Sequence, residues 1–220
     1  MADERVCVKC GTVFVPRREH ARFCCVPCRV RWNREHVGDP AAGAAALLWS
    51  ITAMSDAAER LPRVRAWDRP RALAAIGEMV WWVTIVDATL VRHHQEAYDG
   101  VMVGLPPAQR RVIDGTLAGL RFVRNRISDE ADLAGFVATG PPGPGAGRMG
   151  ITGWAWKAVP RPALTTLTPR GQAWEMTRYQ AYRAWLVGHT TGDVVGDAVA
   201  FLKLAAANTS ITDVSAHAAS

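Results

Sequence analysis

The chain predicts a mainly α-helical protein, a helical bundle behind a small cysteine-built module at the N-terminus. Three observations carry that reading. Apolar residues recur at helical spacing between residues 41 and 206. Proline-opened and glycine-closed segment ends punctuate them. All five cysteines fall within the first 28 residues. A length of 220 residues suffices for one full hydrophobic core plus an appended module.

The module comes first in the chain. Cys7-Val-Lys-Cys10 is followed by a twelve-residue gap and then by Phe23-Cys24-Cys25-Val26-Pro27-Cys28-Arg29. Thiolate pairs at such spacing, separated by a loop of this length, can fold back into tetrahedral sulfur coordination, the closed geometry of structural zinc. Four ligands are needed and five cysteines are present. Spacing favours Cys7, Cys10, Cys24 and Cys28, because the second pair then leads into a helix whose first turn presents the last ligand; Cys25 in place of Cys24 gives a tighter knuckle and stays open. Gly11 is expected at positive φ, turning backbone amides toward the sulfurs, and Phe14 and Phe23 are expected to form the module's small core.

Residues 29–36 are helix-compatible and stop at Gly38-Asp39-Pro40. Residues 41–61 carry Leu47, Leu48, Ile51 and Met54 near helical spacing, ended by Pro62. Asp68 followed by Pro70 reads as an N-cap with proline in the first turn, opening a long, nearly all-apolar helix that runs to His94 or Tyr98. Pro106-Pro107 opens another, with Ile113, Leu117, Leu120 and Ile127 on one stripe and Arg124 among them. Ser128-Asp129 caps a short helix through Val137. Residues 140–147, Gly-Pro-Pro-Gly-Pro-Gly-Ala-Gly, exclude regular structure. Trp154 and Trp156 come after it in an extended segment bounded by Pro160 and Pro162. Thr168-Pro169 repeats the capped, proline-opened start, and Trp174, Arg178, Ala181 and Trp185 recur until Gly188 stops the helix. A last helix covers residues 193–206. The domain division is therefore 1–38 for the cysteine module, 41–137 for a helical core, 138–168 for the Gly/Pro-rich loop and the extended Trp segment, 169–206 for C-terminal helices packing on the core, and 207–220 for a disordered tail.

Composition bounds the function. Hydrophobic residues make up 49% and charged residues 21%, as in a globular protein. Met1-Ala-Asp-Glu-Arg5 lacks the apolar core of a signal peptide, so a cytoplasmic protein with reduced thiols is expected. The run Met79-Val-Trp-Trp-Val-Thr-Ile-Val86 is flanked by Glu78 and Asp87; each acid would cost about 2.5–3.5 kcal/mol in a bilayer, so no membrane span is expected. Net charge is +6, which suggests a polyanionic partner. Only Lys9, Lys157 and Lys203 among the 26 basic residues are lysine, and that bias also follows from GC-rich codons. Position says more: residues 1–38 hold eight basic and four acidic residues, a net of +4. Arg17, Arg18, Arg22, Arg29, Arg31 and Arg34 can grip phosphates there, with Trp32 stacking on a base.

The string Cys7-x-x-Cys10-Gly11-x-x-Phe14-x-Pro16-x-Arg18-x-x-x-Arg22-Phe23-Cys24-x-x-x-Cys28-Arg29 resembles the treble-clef or ribbon-like zinc fingers with a Phe-Cys-Ser core found at the ends of many bacterial proteins. The resemblance covers only these residues. It implies Zn2+ as the cofactor, Cys24 as third ligand, and Cys25 in the place of the usual serine.

No P-loop, dinucleotide glycine pattern, Gly-x-Ser-x-Gly elbow or His-Glu-x-x-His helix occurs. Leu120-Arg-Phe-Val-Arg124-Asn125-Arg126-Ile127 is similar to the active-site string of HEPN-type helical domains, in which an arginine, an asparagine and a following histidine cleave RNA across a dimer cleft. Arg124 and Asn125 are kept, whereas the chain continues Ser128-Asp-Glu-Ala-Asp132 with no histidine. The resemblance implies a degenerate, binding-only HEPN-like site and a homodimer through the helical domain. His93 and His94 point about 100° apart on a helix, so one at most faces a site. Asp87 and Glu78 are expected as buried partners of Arg121 or Arg124, and Trp81, Trp82, Trp154, Trp156, Trp174 and Trp185 as core.

The expected function is that of a zinc-binding protein that binds nucleic acid, DNA or RNA, or acts as a regulator, with no catalytic residue. The alternatives are a HEPN-type ribonuclease, a toxin or defence protein, using Arg124, and a protein-interaction adaptor whose zinc is purely structural.

Overall fold

The computed structural model describes residues 4–16, 21–25, 27–28, 31–32, 40–64, 68–130, 133–139, 154–164 and 167–209. The protein is mainly helical, and residues 1–45 and 46–220 form two compact units.

The first unit opens on a short antiparallel pair, β1 (Arg5–Val6) with β2 (Val13–Phe14), in which Arg5 lies opposite Phe14 and Val6 opposite Val13. The expected helix over 29–36 falls outside the described residues except at Arg31 and Trp32, as does the whole of the Gly/Pro segment 140–147.

Helix α1 (Pro40–Arg60) carries the unit boundary and ends in a single 3-10 turn at Leu61–Arg63 that contains the expected Pro62. Leu47 and Met54 are buried on it, but Leu48 is exposed, because only one side of the helix meets the core. Helix α2 (Arg69–His93) begins as the sequence requires: the Asp68 carboxylate accepts from the Arg71 amide at 3.3 Å, with proline in the first turn. It stops at His93. His94 leaves helical geometry at φ −136°, and a separate short helix, α3 (Gln95–Gly104), begins there.

Helix α4 (Pro107–Glu130) runs past Ser128 and Asp129, so these residues do not cap a new helix. A single 3-10 turn at Leu133–Gly135 comes next and leads into β3 (Val137–Thr139). β3 pairs antiparallel with β4 (Trp154–Trp156): Val137 opposite Trp156, Thr139 opposite Trp154. The extended Trp segment is thus a strand, and its partner is the stretch expected to be helical. Helix α5 (Pro169–Trp185) has Thr168 as N-cap, accepting from the Gly171 amide at 3.2 Å. It closes at Gly188, φ +85°, whose amide donates to Trp156 O. Helix α6 (Thr191–Ala207) completes the unit, and Thr209 beyond it is buried, its hydroxyl donating to Ala206 O at 2.7 Å. Ordered backbone therefore continues two residues past the expected start of the tail; residues 210–220 lie outside the description.

The core of the second unit forms where α4 packs on α5 and α2, and α2 on α6. Helices α4 and α5 approach closely because α4 presents glycine: a Cβ at Gly119 would fall 2.6 Å from the Leu186 side chain and 3.1 Å from Tyr182 Cα. Phe122, Phe136, Trp156 and Tyr182 meet ring to ring at 5.6–6.3 Å, and the Tyr182 hydroxyl donates to the Lys157 carbonyl. Trp154 and Trp156 are fully buried, as expected of core aromatics. Trp81 and Trp174 are not: both are exposed, the latter by 59%. Helical spacing located them on a stripe but could not say whether another element covers it.

Helix α2 is long and apolar enough to cross a membrane, with mean hydropathy 1.5. Its Val80, Val83, Val86 and Leu90 are nevertheless wholly buried within the unit, and Asp87, also buried, is engaged there by three hydrogen bonds.

Candidate metal centre

Cys7 leaves β1 and enters a tight turn in which the Gly11 amide donates to Cys7 O at 2.9 Å and the Cys7 amide to Thr12 O at 2.9 Å. Gly11 sits at φ +73°, the left-handed region that glycine enters without a Cβ penalty. That turn brings Cys10 back beside Cys7. The Val8 amide donates to Arg22 O at 3.1 Å, which draws the second half of the module against the first and places Cys24 and Cys28 over the turn.

The ligand atoms of Cys7, Cys10, Cys24 and Cys28 all lie within 4.8 Å of one another. Cys10 Sγ is 3.6 Å from Cys24 Sγ, which is 3.7 Å from Cys28 Sγ. A tetrahedral ion with metal–sulfur bonds of about 2.3 Å demands sulfur–sulfur edges of about 3.8 Å. A disulfide would need about 2.0 Å. The separations fit a shared cation and exclude a bridge between these pairs. Cys25 Sγ is 3.7 Å from Cys24 Sγ but lies outside the group of four.

Electrostatics gives the same reading. Burial opposes ionisation of Cys7, but backbone amides of Cys24, Cys10 and Lys9 outweigh it and lower the thiol to about 6. Cys10 is also lowered, first by the Thr12 hydroxyl. Cys24 is raised, first by sharing a proton with Cys10 and then by burial; Cys28 is raised to about 12, first by Cys25 and then by Cys10. Two thiols favour the anion and two resist it, as expected of like charges crowded together. A dication at the centre removes that conflict, because all four can then ionise.

The module's expected aromatic core is thin. Phe14 and Phe23 are half-buried, and Phe23 packs on Trp32 at 5.9 Å between ring centroids. Arg22 is exposed and lays its guanidinium over the Trp32 ring at 5.3 Å. Trp32 is half-buried by these neighbours, and Arg31 is exposed. Arg17, Arg18, Arg29 and Arg34 lie outside the described residues.

In the helical unit the ion pairs sort themselves. Arg121 holds Asp87 through two hydrogen bonds of 2.6 and 2.7 Å, and Tyr98 donates a third at 3.2 Å. Burial and the adjacent Asp87 raise the Tyr98 hydroxyl well above its ordinary value. Glu78 pairs instead with Arg60 on α1, partly exposed, and not with Arg121 or Arg124. Arg124 stacks its guanidinium over Trp81 at 4.8 Å, and its Nε is buried without a hydrogen-bond partner. Asn125 donates to Glu175 Oε2 at 3.1 Å.

Two clefts meet at Arg124, Asn125 and Arg178. One, of about 540 Å3, lies between the end of α4 and the start of α5 and includes Arg170 and Trp174. The other, of about 640 Å3, reaches the end of α2 and takes in Arg92 and His93. His93 is the histidine that faces this site; His94 sits in the joint between α2 and α3. Arg92, Arg170, Trp174 and Arg178 were not singled out from sequence as site residues. A signal existed: Arg170, Trp174 and Arg178 stand four residues apart, on one stripe of α5.

Comparison with protein-family models, curated proteins and solved structures found no match to this chain.

Proposed function

We propose that Cys7, Cys10, Cys24 and Cys28 hold one structural Zn2+ and that the chain is a nucleic-acid-binding, regulatory protein rather than a catalyst. The observation that carries the metal assignment is the set of sulfur separations, 3.6 and 3.7 Å along two edges of the four-cysteine group. An all-thiolate donor set with no open position suits zinc and leaves no seat for a reacting water. On this reading the module is a treble-clef or ribbon-like finger, with Arg22 and Arg31 on its exposed surface as phosphate contacts and Trp32 braced behind Arg22. The helical unit is a degenerate HEPN-like domain that pairs with a second copy, in a cytoplasm that keeps the thiols reduced.

Purified protein is expected to contain one zinc per chain, lost in Cys24→Ser and kept in Cys25→Ser. Nucleic-acid affinity is expected to fall linearly on a log–log plot against salt. Salt-independent binding, or none, would leave the adaptor as the better account.

A second reading is favoured by one observation: His93 reaches the cleft that holds Arg124 and Asn125. In that reading Arg124 stabilises charge on a scissile phosphate and His93 moves the proton. Cleavage of RNA by the purified protein, abolished in both Arg124→Ala and His93→Ala, would establish it.

A further inference from the structure

The two clefts of the helical unit present a charge pattern that the metal module does not explain. Six arginines line them: Arg92, Arg121, Arg124, Arg126, Arg170 and Arg178. Among the described lining residues, two carboxylates stand against these. Asp87 is saturated by Arg121 and Tyr98, and Glu175 gives one oxygen, Oε2, to Asn125 and Arg178. Positive charge therefore remains in excess, in a concave site where the local dielectric is lower than at an open surface. Among the described residues, Arg92 and Arg170 have no acidic partner.

The lining also has an aromatic component. Trp174 is exposed by 59% on α5, flanked one turn before and one turn after by Arg170 and Arg178. An exposed indole between two guanidinium groups matches a strand whose phosphates and bases alternate. Duplex DNA or RNA keeps its bases stacked on one another and offers no free face to such an indole. Glu175 Oε1 is buried, lines the same cleft and has no hydrogen-bond partner, which leaves an acceptor for a base amino group or a ribose hydroxyl. Inorganic polyphosphate carries neither.

We propose that this cleft, running from Arg170 and Trp174 past Arg124 to Arg92, is a binding track for single-stranded nucleic acid, with the arginines on the phosphates and a base stacked on Trp174. The track deepens the nucleic-acid reading and rests on it, but it does not depend on the metal module. It assigns the strand to the helical unit.

The test uses the full, zinc-loaded chain with fluorescent single-stranded oligonucleotides of RNA and DNA, the corresponding duplexes, a mononucleotide, and polyphosphate as competitor. Trp174→Ala and Arg170→Gln change exposed side chains, and circular dichroism checks that both remain folded. Trp174→Ala is expected to weaken single-strand binding about 5- to 150-fold, the range that one base–aromatic stack supports, and to leave polyphosphate binding unchanged. Arg170→Gln is expected to reduce the salt slope by about 0.7. Binding of the mononucleotide as tight as that of the strand would overturn the track in favour of a nucleotide pocket. Equal affinity of both variants and wild type for single strands would overturn it too; if Arg22→Gln and Arg31→Gln then abolish binding, nucleic-acid recognition survives and belongs to the metal module alone.

Discussion

Between residues 4 and 32 the described chain buries one side chain, Cys7; the helical unit buries Trp154, Trp156, Tyr182, Phe122 and a column of aliphatic residues along α2. The first region has too little apolar surface to offset the entropy of ordering its backbone, so its turn, its hairpin and its sulfur cluster must be held by something other than a core. The second needs no ligand. On the zinc assignment, order in one region comes from coordinate bonds and in the other from removal of surface from water. The two should therefore fail under different insults.

The largest expected effect is on the metal module. Chelation, or Cys7→Ser, is expected to unfold residues 4–32 outright, seen as loss of the single zinc and of Trp32 fluorescence anisotropy, while the cooperative melting of the helical unit keeps its midpoint. A joint collapse would show that the two units are one folding system. Asp87→Ala is expected to do the converse. It leaves the half-buried Arg121 and the Tyr98 hydroxyl without their partner, a loss of up to about 3 kcal/mol; the helical melt should drop and zinc content should stay at one. Gly119→Ala forces a methyl group into Leu186 and Tyr182 and is expected to cost about 1–3 kcal/mol by denaturant titration. The finest contrast uses the two positive-φ glycines, Gly11 and Gly188. Replacing either by alanine costs about 1–2 kcal/mol of backbone strain, but Gly11→Ala should appear as weaker zinc affinity and Gly188→Ala as a lower melting temperature.

Much of this was legible in the chain. Asp68 and Thr168, each followed by proline, marked helix starts because capping is a local transaction between a side chain and an amide three residues away. Gly11 and Gly188 were legible for the same reason. The cysteine spacing located the four-sulfur group, since turn lengths limit which sulfurs can meet. What escaped was non-local. The stretch around Val137 looked helical in isolation and became a strand because Trp154–Trp156 lies beside it. Trp174 looked like core because it recurs at helical spacing with Ala181 and Trp185; spacing alone does not announce that its side of α5 stays exposed. The Arg124–Asn125 site was half legible: the pair stood out, but Arg178 and Arg92 join it only through the packing of α5 and α2 against α4.

The pairing of Thr139 with Trp154 has a consequence for how this chain can change over generations. These two residues lie about 5 Å apart, the distance between cross-strand neighbours. Joining two ends this close needs no fixed length of chain, and each doubling of a flexible loop's length costs only about 0.6 kcal/mol of closure entropy. Residues 140–153 are thus the port through which the protein can gain a tag, a repeat or an entire inserted domain, and lineages carrying this fold should differ in length there before they differ anywhere between α2 and α4.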